Sequence, residues 1–425
     1  MPSVWQCRPI VSGVREDVFA EDVTGVVEAG MGDGERYIGV AERRARLALR
    51  HRLAGAARAA SPEEVAGSLV ALHGTDPATV YLAVGARLAD PARTVAETGR
   101  ALYEDRALVR MHGMRHTVFV FPTELTAVVH ASTGLAVAAR ERAALLKQMA
   151  AAGAPDATWL KEVEESALAA LARRGQATAA ELAEDEPRLR EQFVYAAGKS
   201  YEGLHTVSTR LLRVLGVEGK VVRGRPLGSW TSSQFRWAVA PAHSELDPAE
   251  AQASLLGRWL AVCGPATEAD LKWWTGWRVT DVRRALTAIG ARPVSLDEGT
   301  GYVVDGDVGP VAEPDEPWAA LLPGLDPTAM GWQQRDWYLA PELRSALFDR
   351  SGNVGPTVWW NGRVVGGWAQ RADGEIVWRL LDRDGVGAEA EAAIAQEAGR
   401  LRGWVGTTRV TPRFRTPLEK ELAGA

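Results

Sequence analysis

Apolar residues recur at helical spacing in three stretches of the chain, and after each stretch the period shortens to that of strands. Apolar helices predicted around Leu168–Ala172 and Leu255–Val262 break at Gly175 and Gly264. They restart at Thr178 and Thr267, each followed three residues later by an acid, the pattern of a capped helix start. The restarts belong to a repeated octapeptide, Gly175 to Leu182 and Gly264 to Leu271, in which six of eight positions agree when Glu and Asp count together. Each copy leads to a further predicted helix, His205–Leu215 closed by Gly216 and Thr280–Ile289 closed by Gly290, and then to short strands. Ser61–Pro122 follows the same plan more faintly: helices Ser61–Leu72, Pro77–Leu88 and Ala92–Glu104, then the strand pair VRMHG and RHTVFVF. Helix, helix, recognition helix and β-ribbon is the order of a winged helix. The prediction is therefore an α+β chain with three tandem winged-helix units, over residues 38–160, 161–245 and 246–312.

Beyond Val311 the texture becomes Trp-rich and β-branched. Asn361-Gly362 and Asp373-Gly374 separate runs that read as consecutive antiparallel strands, because these dipeptides favour tight hairpin turns. A small antiparallel β-domain over 313–425, closed by a helix from Ala388 to Arg402, is expected. Its Trp residues fall at strand spacing among Val and Ile and read as core rather than as a base-stacking platform. Residues 1–37 lack periodicity and read as a poorly ordered tail. The following segment, AERRARLALRHRLA, is helical in propensity. It reads either as a DNA-contacting arm or as an Arg-rich helix packed by its Leu residues.

Composition narrows the function classes. A chain of 425 residues with ordinary apolar and charged content should form two to four globular domains. Cys7 and Cys263 stand far apart with no partners at metal-ligand spacing, so neither a disulfide framework nor a zinc site is expected. No signal peptide or long apolar run is evident, which places the protein in the cytoplasm, associated with the nucleoid and not with a membrane. The formal net charge of −5 is unpromising for a nucleic-acid partner, but the local field matters more than the total. Between Gly203 and Trp237 six basic residues face one acid, Glu218. Arg210 and Arg213 lie one turn apart on the predicted recognition helix, with Lys220, Arg223 and Arg225 on the adjoining wing, a set suited to duplex phosphates. Arg278, Arg283 and Arg284 are the equivalents in the third unit.

Candidate chemistry centres on Leu72-His73-Gly74-Thr75-Asp76-Pro77. Pro77 suits a first helical position, which makes Asp76 the N-cap, ionised near the positive helix end. Such a carboxylate could stabilise an oxocarbenium ion or orient water, and His73 could donate a proton or a hydrogen bond to a leaving base. The plainer reading makes Asp76 a cap and His73 a satisfied core histidine. His112 and His116 together with His73 raise a remote metal alternative, without a supporting acid at ligand spacing.

The tandem winged helices, the GPAT-x-AD-x-x-WW-x-G run at Gly264–Gly276, LLPGLDP at Leu321–Pro327 and PTVWWNGRVVGGW at Pro356–Trp368 together resemble the AlkZ/YcaQ-like DNA glycosylases, a winged-helix DNA-binding family. The likeness runs from about Val40 to the end. It implies a curved clamp around double-stranded DNA that cleaves the glycosidic bond of bulky N7-alkylated purines, crosslinks included, without a metal or nucleotide cofactor or an obligate protein partner. The family's catalytic Gln-x-Gln or Gln-x-Asp triplet falls on His73-Gly74-Thr75, with Asp76 beside it. Met114-Arg115-His116-Thr117 resembles the family's Met-Arg-Gly-Thr, which makes Arg115 and His116 candidate DNA contacts. With both glutamines replaced, a DNA-binding protein without catalysis, regulatory or lesion-shielding, is the alternative.

Overall fold

The computed structural model describes residues 35–424, apart from 154, 197, 199–201 and 242–243; residues 1–34 of the expected tail lie outside it. The end of that stretch is part of the fold: Tyr37 bridges to Ser295, and Arg36 donates to the Gly309 carbonyl at 3.0 Å. Helix α1 (Val40–Arg50) is not an arm. Leu47 and Ala48 are buried, and so are Arg43 and Arg46, which pair with Glu298 at 2.7 Å and Asp307 at 2.9 Å. Arg50 likewise pairs with Asp307, and Arg44 donates to the Trp337 carbonyl, so the helix's arginines are spent on intramolecular contacts.

The first unit consists of α2 (Pro62–Gly67), β1 (Leu72–His73), α3 (Pro77–Gly85), α4 (Thr94–Tyr103), β2 (Leu108–His112) and β3 (Val118–Pro122), its sheet ordered β1-β3-β2. The helix expected to reach Leu72 stops at Gly67. Val70 takes a left-handed φ of 62°, which a β-branched residue cannot carry within a helix, and Leu72-His73 pair with β3 instead. Helices α5 (Thr126–Val129) and α6 (Leu135–Ala151), joined by a π-turn, lead to the second unit.

There α7 (Ala157–Arg174), β4 (Gln176–Ala177), α8 (Ala179–Asp185), β5 (Gln192–Tyr195), β6 (Gly203–Thr206), α9 (Val207–Val217), β7 (Val221–Pro226) and β8 (Phe235–Val239) follow, with sheet order β4-β8-β7. The β5–β6 hairpin was not expected; His205 lies in it, and α9 starts two residues later. The third unit repeats the order with α10 (Pro248–Cys263), β9 (Ala266–Thr267), α11 (Glu268–Thr275), α12 (Val279–Ala288), β10 (Arg292–Leu296) and β11 (Gly299–Val303), sheet β10-β11-β9. Both octapeptides form the capping boxes their spacing predicts, Thr178 with Glu181 and Thr267 with Asp270.

The C-terminal sheet, β12 (Ala319–Leu322), β13 (Thr357–Trp360), β14 (Arg363–Gln370) and β15 (Ile376–Leu380), is antiparallel in that order. Trp360 pairs with Arg363 across the two-residue Asn361-Gly362 turn. Helix α13 (Arg344–Leu347) precedes the sheet's second strand, and α14 (Ala388–Val405) and α15 (Pro417–Ala423) pack against the sheet. Trp359 and Trp368 are buried, as the strand spacing implied, and so are Trp332 and Trp337 in the irregular segment before α13. One apolar core joins Met111, Phe119 and Phe121 of the first sheet with Trp259 and Trp274 of the third unit and Trp332 and Trp359 of the C-terminal part. The second unit encloses its own core. No helix among the described residues is long and apolar enough to cross a membrane.

Candidate active site

Strand β1 carries the candidate triplet into the first sheet. His73 pairs with Phe119 of β3, and their rings meet edge to face at 5.3 Å. Gly74 follows with its N–H on the Val118 carbonyl at 2.8 Å, and a Cβ there would stand 3.1 Å from the Phe119 backbone, so the strand approach needs glycine. The His73 ring lines a cleft of about 520 Å³, with Nδ1 buried and unpartnered. Burial, reinforced by the Arg115 guanidinium, pushes its pKa down to about 4, because desolvation disfavours the cation. At neutral pH the imidazole is uncharged. It is not the cationic proton donor that one sequence expectation requires, while the N–H of the neutral ring still donates a hydrogen bond.

Asp76 is not in this cleft. It is buried and caps α3, Oδ1 accepting from Ala78 N at 3.1 Å, while Oδ2 accepts from Arg413 N at 3.0 Å. The carboxylate thus clamps the C-terminal segment to the first unit, and the catalytic expectation for it is corrected to a structural one. Asp76→Ala is expected to lower stability by about 1–2 kcal/mol through the lost cap, read as a shift in the urea midpoint without change in slope. Thr75 is half-buried and does not line the cleft.

The opposite walls come from distant segments. Arg115 sits in the β2–β3 hairpin at φ 52°, ψ 37°, a left-handed conformation uncommon for a residue with a side chain. Its guanidinium stacks 4.1 Å from the Trp273 ring of α11, and Arg335 approaches the same indole at 5.2 Å. Gly276 ends α11 at φ 71° and makes room: a Cβ there would lie 2.9 Å from Arg115 Cγ. Burial, with Arg335 nearby, lowers the Arg115 pKa. Arg335 is 8% exposed and donates only to the Ala329 carbonyl, at 3.5 Å. Arg344, also at the cleft, pairs with Asp336, while Gln333, Phe348 and Asn353 complete the opening. No carboxylate lines the cleft. It is therefore an aromatic-walled site with positive potential, suited to an anion and an inserted planar group.

The other expected phosphate contacts fare differently. Arg210 stacks on Tyr195 at 3.2 Å, and Arg213 lies 3.5 Å from Glu141, which also takes His116 Nδ1 at 3.0 Å. Lys220 pairs with Glu164 and Glu218, and Arg225 with Glu104 at 2.7 Å. Arg223 stacks over Phe235 at 4.6 Å. In the third unit Arg283 pairs with Glu268 at 2.6 Å and Arg284 with Asp281 at 3.0 Å, while Arg278 is exposed at the start of α12. The local positive excess is thus largely offset by acids distant in sequence. Exposed pairs such as those of Arg225, Arg283 and Arg284 are screened by water and hold these cations only weakly. His112 lies with Arg110 on the sheet face opposite His73, and among the described residues no group of three His, Cys, Asp or Glu could hold a metal ion. The three-histidine alternative has no geometric basis.

Sequence reasoning found His73 and Arg115 but missed Gln333, Arg335 and Phe348, for which no local pattern exists. Trp273 lay within a quoted run without a role.

The same structure has close counterparts among known proteins. The family described as DNA glycosylase AlkZ-like matches residues 66–404. The Streptomyces sahachiroi DNA glycosylase AlkZ superposes with a TM-score of 0.64 at 21% identity, covering 85% of this chain and 96% of that one, which establishes a shared fold. No curated protein sequence matches significantly. With a match spanning the first unit to the closing helix, the chain belongs to the AlkZ-like family of DNA glycosylases.

Proposed function

We propose that this protein excises bulky N7-alkylated purines from double-stranded DNA as a monofunctional glycosylase, with His73 as the group that activates water. The observation carrying the reading is the uncharged His73 imidazole at the triplet position, lining a cleft walled by the guanidiniums of Arg115 and Arg335, which have no acid partner among the described residues. An N7-alkylated purine already bears positive charge. When its bond to the sugar C1′ breaks, the electron pair passes into the ring and the base departs neutral, with no proton needed from an acid. The cleft offers no carboxyl group to supply one. Water adds to C1′ as His73 takes its proton. Arg115 and Arg335 hold the flanking phosphates at the cleft, and the anions so placed stabilise the cationic sugar as it forms.

The test is incubation of the protein with N7-alkylated duplex, with mass-spectrometric detection of released base above the spontaneous rate. Release dependent on His73 supports the reading. Intact DNA that is nonetheless bound with steep salt dependence points to the noncatalytic clamp, which the replaced glutamines favour.

The pH profile is a second check. His73 must be unprotonated, and its pKa is lowered to about 4, so the enzyme-dependent rate should be flat from neutral pH down to about pH 5. Below pH 4 it should fall about tenfold per unit, as protonation removes the active form. A limb near pH 6.5 would mean that the imbalance of burial and Arg115 does not act on the working imidazole.

A further inference from the structure

A second set of guanidiniums lies on the other face of the first sheet. Arg110 of β2 stands in register with Val120 and Leu72, on the face opposite His73. It is 3% exposed, yet its Nε and Nη2 have no hydrogen-bond partner. Arg223 of β7 faces it across a cavity of about 10 Å³ bordered also by His112, Gly216 and Trp237, and the Arg223 Nε is likewise buried and unpartnered. Arg413, exposed on the C-terminal segment that Asp76 clamps through its backbone N–H, lies outside the cavity but within electrostatic reach of Arg223. Arg110, Arg413 and Arg213 all act on Arg223 electrostatically, and together with burial they push its pKa to about 10. The neighbouring acids are engaged elsewhere, Glu141 with Arg213 and His116, and Glu104 with Arg225. A buried cation without counter-charge is strongly unfavourable, and two of them, Arg110 and Arg223, bordering one cavity call for an anion.

We propose that this seam between the first and second units is a binding site for a phosphate group. The cavity has room for about one oxygen-sized atom. One phosphate oxygen enters it between Arg110 and Arg223, and Arg413 closes on the oxygens that remain outside. The site lies on the far side of the sheet from the cleft and does not depend on glycosylase activity.

Thermal unfolding of the full chain in inorganic phosphate, against potassium chloride of equal ionic strength, tests this. Phosphate is expected to raise the wild-type Tm beyond chloride, and Arg413→Ala to weaken the apparent phosphate affinity about tenfold, the loss of one charge-assisted contact. Arg110→Met should abolish the phosphate effect while raising the Tm in phosphate-free buffer, since it removes an uncompensated charge. Equal Tm in phosphate and chloride, or a lowered Tm for Arg110→Met in phosphate-free buffer, overturns the proposal. Salt titration of duplex binding then assigns the source. A slope of log affinity against log salt reduced by about 0.9 in Arg413→Ala makes the phosphate part of the DNA backbone. An unchanged slope, with phosphate stabilisation retained in wild type, makes it a free phosphate or the terminal phosphate of a small ligand.

Discussion

Replacing His73 with alanine is expected to slow release of an N7-alkylated purine by about 10²–10⁴-fold, the range for loss of a positioned general base, with duplex affinity changed little. The two readouts separate because the proposed role sets His73 against the base and sugar and leaves the phosphates to Arg115, Arg335 and the exposed cations of the second and third units. His73→Gln restores the residue type that the family triplet carries at this position. It should recover part of the rate by positioning water through its amide, but without the acid limb near pH 4, since an amide does not titrate. Retained wild-type rates in both variants would remove His73 from the mechanism. Full loss of duplex binding in His73→Ala would instead make the residue a DNA contact.

The largest stability effect is expected at Arg87. Its guanidinium and the Asp326 carboxylate are both fully buried and joined by two hydrogen bonds, of 2.7 and 2.9 Å. The remaining donors reach the His51 carbonyl at 2.9 Å, the Ala83 carbonyl at 2.9 Å and Thr328 Oγ1 at 2.8 Å. Every arm of the side chain is satisfied. The network ties the end of α3 and the turn after α1 to the LLPGLDP run, which explains structurally why that run carries Asp326. Arg87→Ala leaves Asp326 buried without its partner and should cost about 3–5 kcal/mol in urea unfolding. Arg87→Ala combined with Asp326→Ala should cost less than the sum of the single changes, because the stranded charge is gone. Additive losses would show that the two side chains contribute through packing alone.

The His73 and Arg87 effects also differ in how far they could be foreseen. His73 announced itself through its place in a triplet beside a predictable helix start, whereas Arg87 was one arginine among many. Its partner is 239 positions away. The basic stretch from Arg210 to Arg236 is the instructive failure. A window over the sequence sees one acid, but folding brings Glu104, Glu141, Glu164 and Glu181 against its cations from four other elements. Net local charge along a chain says little about the field at a surface built from several segments.

What the amino-acid sequence determined by itself is whatever depends on neighbours within a few residues. The Thr-capped helix restarts, the Asn361-Gly362 hairpin, the Asp76 cap and the threefold succession of helices and strands follow from backbone hydrogen bonding and side-chain spacing at that range. The same holds for the burial of the strand-spaced tryptophans. Tertiary structure alone decided the site. It sets His73, Arg115, Trp273 and Arg335 around one cleft, removes Asp76 from it, and shifts His73 to its uncharged form. The physical reason is that desolvation and Coulomb interaction act through space, and both are set by which distant segments the core draws together.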